Sequence, residues 1–111
     1  MYVTFLPPMT REDRRSMAFH RAIAARLAED PEPALERARR HLRLLTRGHE
    51  HAAPMLDRWR CWLDLPVAEL IHSMLDPAQD AREMRQVSPF AGVLSTEERA
   101  AVLRDFREDA A

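Results

Sequence analysis

The chain has 111 residues, of which 46% are hydrophobic and 32% are charged, and its formal net charge is -1. This length fits one domain with one modest core, and a charge content above the roughly 25% of average globular proteins favours thin, well-solvated helices over a large enzyme core. The near-neutral balance excludes the strongly basic signature of many nucleic-acid-binding domains, and no apolar run reaches the roughly 18 residues that a membrane span needs.

The charge is unevenly distributed along the chain. All 17 basic residues are arginines. Residues 1–60 contain 12 arginines and 8 acids, a net charge of +4, whereas residues 61–111 contain 5 arginines and 10 acids, a net charge of -5. This asymmetry predicts a basic face and an acidic face, which a protein that binds itself or a partner would use.

The first predicted element is an N-terminal extension or tail over residues 1–9. Within it, only residues 2–6 have the composition of a strand, and Met9 is an alternative start of the chain. Prolines and glycines then divide the sequence into helices, because proline is tolerated in the first helical turn and glycine ends helices. Apolar spacing predicts helices at about 11–29, 31–47, 54–64, from Pro66, from Asp76 and Pro77, and at about 96–108.

Side chains that end or begin helices support these boundaries. Thr10 is a predicted N-cap, and Ser95 with Glu98 has the spacing of a capping box. No stretch shows the sustained alternation of a strand. The sequence therefore predicts an all-α fold, a compact bundle of five or six short helices that forms a single domain over residues 10–111.

Residues with the potential for chemistry do not form a recognisable active site. His49, His51 and Cys61 do not have the spacing of a structural zinc site, so no metal is expected. Cys61 lies between Arg60 and Trp62, and we expect it to be packed and inert. His20 and His72 lie beside apolar stripes, where a histidine is usually a locally hydrogen-bonded core or edge residue. No phosphate loop or nucleophile motif is present, so we expect neither a catalytic function nor a cofactor.

The second predicted helix carries an arginine-rich face. Three interpretations stay open for it: a solvated surface, contact with an acidic protein, or contact with nucleic acid phosphates. The helices on either side of Asp76 and Pro77 resemble a helix-turn-helix in length only. The would-be recognition helix, DAREMRQ, contains just two arginines.

The stretch RQVSPFAGVLS, residues 85–95, is the most informative part of the sequence. It interrupts the helical periodicity with an apolar loop whose Phe90, Val93 and Leu94 must be buried somewhere. One interpretation is that this loop caps the helical core. The other is that it docks into a partner.

Three stretches of the sequence carry a resemblance to known proteins: RRSMAFHRAIAARLAEDPEPALERAR, MLDRWRCWLDLPVAELIHSMLD and REMRQVSPFAGVLSTEER. Together they span about residues 10–107. They resemble a set of short helical bacterial proteins that are encoded beside a toxin gene and look like antitoxins. The tract SPFAGVLS is the most specific part of the resemblance.

The resemblance implies a protein that binds and neutralises a cognate toxin, which would be a nucleotidyltransferase-like enzyme or an RNase. Because the chain has no long polar tail, the implied mode of neutralisation is by a folded surface. Aromatic and arginine anchors usually supply most of the affinity of such an interface. The expected partner-binding residues are Arg14, Arg15, Trp59, Trp62, Arg85, Ser88, Pro89, Phe90, Gly92 and Val93.

Other partners are also considered. The basic first half motivates an alternative function, a small DNA-binding regulator that acts on operator DNA, such as that of its own operon. A homodimer is expected if the tryptophan-bearing face is only partly covered in so small a domain. No membrane partner is expected, and the single cysteine fits a reducing cytoplasm.

Overall fold

The computed structural model describes residues 8–48 and 53–110, with side chains described up to residue 107. This part of the chain contains six helices and no strand, which confirms the predicted compact all-α bundle. The helices are α1 (Arg11–Glu29), α2 (Pro31–Gly48), α3 (Ala53–Leu63), α4 (Val67–Met74), α5 (Gln79–Gln86) and α6 (Thr96–Ala110). The predicted strand-like residues 2–6 lie outside the described residues.

Two helix starts have the capping geometry that the sequence predicts. The Thr10 hydroxyl accepts the Asp13 N–H at 3.1 Å, and the Asp13 carboxylate accepts the Thr10 N–H at 3.1 Å. Ser95 and Glu98 make the same reciprocal pair at 3.1 and 2.9 Å. Each pair satisfies two backbone donors that a helix start otherwise leaves without partners.

The start of α5 differs from the prediction. Asp76 and Pro77 do not open the helix, which begins at Gln79 with Ala78 as its N-cap. Instead, the Asp76 carboxylate accepts the Ala78 N–H at 2.8 Å. Asp76 therefore stabilises the turn before α5, as aspartate often does two residues ahead in a turn.

The hydrophobic core lies between α1, α2, α3 and α4, and it is closed by α5 and by residues that follow α5. Trp59 of α3 is fully buried at its centre, and its indole N–H donates to the Met84 carbonyl at 2.7 Å. Phe90, 1% exposed, packs edge-on against Trp59 with ring centroids 5.8 Å apart. The interior thus joins residues that are far apart in the sequence.

Helix α6 packs on the outer side of α1. The described side chains of α6 are exposed or half-buried. Arg26 of α1 forms an ion pair with Glu98, and the Arg11 guanidinium lies 5.1 Å from the Phe106 ring centroid. The Met9 carbonyl accepts a hydrogen bond from Arg14 at 2.7 Å, so this end of the predicted extension contacts the domain.

The burial of Phe90 leads to a stability prediction. Phe90→Ala should lower the free energy of unfolding by about 3–5 kcal/mol, because it leaves a cavity beside Trp59. Urea denaturation followed by circular dichroism measures this loss. Leu44→Ala is the matched control and should change stability by less than about 0.5 kcal/mol, because Leu44 is exposed. Equal stabilities of the two variants would contradict the central position of Phe90.

Candidate functional site: the loop between α5 and α6

Residues 87–95, the α5–α6 loop, form a fixed part of the surface. Phe90 and Leu94 are buried in the hydrophobic core, and Val93 lies at its edge. The loop therefore caps the helical core, which is the first of the two interpretations of its sequence. Because its apolar side chains point inward, its backbone and its polar neighbours form the outer surface.

His20 of α1 holds one side of this loop. The imidazole is 4% exposed, with Nδ1 2.7 Å from the Ser16 carbonyl and Nε2 2.9 Å from the Ser88 hydroxyl. A carbonyl only accepts, so Nδ1 carries the proton. Burial favours the neutral imidazole by lowering its pKa, and in the neutral ring Nε2 accepts the Ser88 hydroxyl proton. The Ser88 oxygen in turn accepts the Phe90 N–H at 3.2 Å. The burial of His20 and its local hydrogen bond match the sequence prediction.

Helix α2 holds the other side of the loop. His41 Nδ1 lies 3.1 Å from the Pro89 carbonyl, which accepts a hydrogen bond from it. Gly92 has a φ of +84°, a left-handed conformation that glycine adopts without strain. A Cβ at Gly92 would lie 3.7 Å from the Arg37 Nε, so the loop backbone runs close beside this α2 side chain.

A serine hydroxyl that donates to a histidine also occurs in nucleophilic catalysis. Here, burial, together with a smaller effect of the nearby Arg85 charge, lowers the pKa of the His20 imidazole to about 4. A base of this strength is poorly matched to proton transfer near neutral pH. The partner of Nδ1 is a main-chain carbonyl rather than a carboxylate that would stabilise an imidazolium. We therefore assign the pair the role of fixing the loop on α1.

A pocket of about 470 Å³ lies between α1 and the loop. We call it the loop pocket. Its lining includes three arginines, Arg15, Arg85 and Arg99. The acidic residue Glu12 also lines it. The Arg15 and Arg99 guanidinium carbons lie 5.7 and 4.7 Å from the centroid of one ring, that of Phe19. The remaining lining residues are Ser16, His20, Ile23, Gln86, Ser88, Phe90, Ala91 and Leu94.

A second depression lies on the α2 side of the loop, and Ala91 lines both. Arg37, Arg40 and Leu44 lie in this second depression. Leu44, 59% exposed, is the large apolar side chain that stands out to solvent in the described part of the chain. Together the two sides form a surface that we call the loop face, made up of Arg15, Arg37, Arg40, Leu44, Ala91 and Arg99.

The structure brings several of the expected partner-binding residues together. Arg15, Arg85, Ser88 and Phe90 all line the loop pocket. Exposed Gly92 lies at the same loop. Arg14 is exposed but lies in a groove between α1 and α6.

Some of the expected contact residues are not on the surface, which corrects the prediction. Trp59, Pro89 and Phe90 are enclosed by the domain, Arg85 is 3% exposed, and Val93 is buried. In this fold they support a surface and do not present their side chains to a protein partner. Trp62 is half-buried and packs edge-on against Trp59 at 4.9 Å.

One further expectation changes. Cys61 is exposed, so the prediction of a packed cysteine is wrong. Of the two tryptophans behind the homodimer expectation, Trp59 is buried and Trp62 is half-buried, so the tryptophan-bearing side of α3 is partly covered. Within residues 8–48 and 53–107, sequence reasoning did not single out His41, Leu44 or Arg99 as part of this surface, whereas Arg37 and Arg40 belong to the arginine-rich face of the second predicted helix. The sequence did contain one signal for this surface, because Leu44 is an apolar residue on a helix rich in arginine.

Comparison with known proteins adds no assignment: no family model, no curated protein and no solved structure matches this chain. No group of three or more His, Cys, Asp or Glu side chains able to hold a metal ion occurs within residues 8–48 and 53–110. His49 and His51 lie outside the described residues. None of the described helices combines the length and the apolar character needed to cross a membrane.

The His20 anchor leads to a pH prediction. The folded-state pKa of about 4 lies below the ordinary 6.5, so folding favours the neutral imidazole. The resulting stability is fully present above pH 6.5 and is lost as the pH falls through 4. The loss amounts to about 3 kcal/mol at most. Urea denaturation between pH 7.5 and 4.5 should show this fall in the wild type and a much flatter profile in His20→Gln.

His72→Gln is the control, because His72 is exposed and should leave the profile unchanged. Asp13, Asp80 and Glu98 also have lowered pKa values, but their ordinary values of 3.8 to 4.5 put their effect at the lower end of this range or below it. A His20→Gln profile as steep as the wild type would contradict the buried neutral histidine.

Proposed function

We propose that this chain is an antitoxin-type protein that binds and neutralises a cognate toxin enzyme through the loop face. The sequence resemblance supports the toxin partner, either a nucleotidyltransferase-like enzyme or an RNase. The observation that carries the binding mode is the loop face itself. It places arginines around an exposed leucine and a rigidly held loop.

The charges of the loop face favour an acidic protein surface as the partner. Arg15, Arg37 and Arg99 form no ion pair with any described residue, and Arg40 makes only an exposed pair with Glu36 at 3.4 Å. Exposed pairs of this kind contribute little stability. These arginines therefore gain more from carboxylates of a partner than they lose from existing contacts.

The rigid loop favours neutralisation by a preformed surface. Phe90, His20 and His41 fix the α5–α6 loop before any partner binds. A preformed surface avoids the entropy cost of ordering a segment on binding. Arginine is among the residues that most often contribute strongly to interfaces, and complementary charge mainly speeds association and sets specificity.

This proposal predicts a salt-sensitive complex with the product of the neighbouring gene. Co-expression with one tagged partner should recover both proteins. The double change Arg37→Glu and Arg40→Glu should weaken the complex at least about tenfold, since it replaces attraction with repulsion at the centre of the interface. Affinity measured by calorimetry and rescue of growth from the toxin check the two effects together.

Arg43→Glu is the matched control on the same helix. Arg43 lies with Arg60 and Asp64 in a separate depression, so its reversal should leave binding nearly unchanged. Circular dichroism confirms that each variant is folded. Failure of the two wild-type proteins to co-purify at ordinary salt would overturn the proposal. If Arg43→Glu weakened binding as much as the double change, the interface would lie outside the loop face.

A DNA-binding regulator is the second candidate function. The exposed arginines of α2 favour it, because guanidinium groups bind phosphates well. The two arginines of α5, Arg82 and Arg85, are buried, so α5 does not present them as a recognition helix would. A mobility shift on the upstream region at low salt, weakened by the Arg37 and Arg40 reversal, would support this function for the chain alone.

A further inference from the structure

The α1 side of the loop face combines an aromatic ring with two cations. The Arg15 and Arg99 guanidinium carbons lie 5.7 and 4.7 Å from the centroid of the half-buried Phe19 ring. Both arginines are exposed, and they line the loop pocket together with Ile23 and Leu94. Attraction to the face of an aromatic ring holds a guanidinium in place. These two charges are therefore positioned before a ligand arrives.

The α2 side repeats this combination with an aliphatic side chain. Leu44, 59% exposed, shares the second depression with the exposed Arg37 and Arg40. Residues three or four positions apart lie on one face of a helix, so α2 presents this leucine beside both arginines. Each side of the α5–α6 loop thus offers one apolar side chain and two exposed cations.

Ala91 joins the two sides. It is exposed, and it lines both the loop pocket of about 470 Å³ and the second depression of about 550 Å³. Its neighbour Gly92 is also exposed. Because these two residues are small, little side chain stands between the depressions. A single ligand chain that passes over the loop therefore reaches both of them.

The charges of the two depressions select an acidic occupant. Four exposed arginines line them, against the two acids Glu12 and Glu36. Within the described part of the chain, the one ion pair among these residues joins Glu36 to Arg40, and both side chains are more than half exposed. An exposed pair of this kind is weak and is readily exchanged for a pair with a ligand carboxylate.

The shape of the loop face favours a segment over a flat acidic surface. The strongest contacts of an interface form where protruding side chains fill pockets. Here two depressions lie on either side of a loop that His20 and His41 hold in place. A flat surface would rest on the loop and leave both depressions unfilled, whereas side chains that project from a narrow segment enter them.

Nucleic acid matches these side chains less well. Single strands bind largely by stacking bases on aromatic rings. The Phe19 ring is half-buried and has two guanidiniums against it, and Leu44 has no ring. Phosphates would satisfy the arginines and leave the exposed leucine in water.

We propose that the loop face binds a short acidic segment of its protein partner, with one apolar side chain in the loop pocket and a second against Leu44. Carboxylates of the segment pair with the two arginines on each side, and its backbone crosses the loop at Ala91. This inference rests on the proposed function, because it specifies which part of the toxin the loop face takes. Two linked anchors bind more tightly than either anchor alone.

Synthetic peptides test this proposal with the isolated full chain. Each peptide carries a phenylalanine and a leucine, separated by one to four aspartates and flanked by glutamates. The controls are a peptide with both anchors changed to serine, a peptide with every carboxylate changed to the amide, and an oligothymidylate of equal length. Isothermal titration calorimetry measures affinity, and nuclear magnetic resonance follows the amides of Ala91 and Gly92 in ¹⁵N-labelled protein.

We expect saturable binding by the acidic peptides. The tightest of them should bind at least about tenfold more tightly than each control, because it alone satisfies both the arginines and the apolar side chains. A peptide that keeps one anchor with its neighbouring carboxylates should bind at least about tenfold more weakly than the peptide with two anchors.

Variants on the two sides of the loop locate the segment. Leu44→Ser and Arg99→Gln change exposed residues, so both should fold, as circular dichroism checks, and each should weaken the two-anchor peptide severalfold. The one-anchor peptide should respond to only one of these variants. Arg104→Gln, an exposed α6 residue outside both depressions, should bind like the wild type.

Several results would overturn the proposal. Equal affinity of the serine peptide would show a general basic surface, and equal affinity of the amide peptide would show an apolar one. Equal affinity of the oligothymidylate would assign the loop face to nucleic acid. Loss of sensitivity to either Leu44→Ser or Arg99→Gln would show that one segment does not span both sides. Absence of binding by the whole peptide series would show that the loop face takes no linear segment.

The peptide titrations and the co-purification experiment fail separately. If the toxin co-purifies and the peptides do not bind, the antitoxin function stands and the partner is a folded surface of the toxin. If the peptides bind as expected and the toxin does not co-purify, the segment site stands and the toxin is removed as its source.

Discussion

The packing of Phe90 against Trp59 is the interaction on which the rest of the molecule depends. It draws the α5–α6 loop into the helical core, although the two rings come from residues 31 positions apart in the sequence. Once Phe90 is buried, Ser88 and Pro89 lie within reach of His20 on α1 and His41 on α2. The loop pocket, the loop face and the close approach to Arg37 all follow from that position. In so small a domain, with a total stability of about 5–15 kcal/mol, one such contact carries a large share.

Burial divides the notable side chains of this sequence into two groups with different roles. Aromatic residues and two arginines of α5 lie inside and shape the surface from beneath. Arginines of α1, α2 and α6 lie outside and supply its charge. Polar contacts link the groups, since neutral His20 connects the Trp59 layer, at a ring distance of 6.4 Å, to Ser88 of the loop. A binding surface of this kind depends on the stability of the core as much as on the residues that contact a ligand.

The fold was predictable from the sequence because local signals agree with the tertiary structure. Thr10 and Ser95 cap helices through residues three positions later, and apolar spacing marks the buried side of α1 to α4. The site was predictable only in part. The tract around Phe90 was recognisable as unusual, but the sequence does not show whether an apolar loop packs inward or into a partner. The contacts of Arg37 and His41 with the loop and of Arg99 with Phe19 are long-range, so spacing along one helix does not reveal them.

The conformation of Gly92 has a consequence for how this surface varies. With a φ of +84°, any other residue there would strain the backbone, yet the added Cβ would meet the Arg37 guanidinium only at an ordinary contact distance of 3.7 Å. An alanine at this position would therefore disturb the shape of the loop and leave the neighbouring cation in place. A substitution at Gly92 would thus change the shape of the loop without changing the charge of the surface beside it.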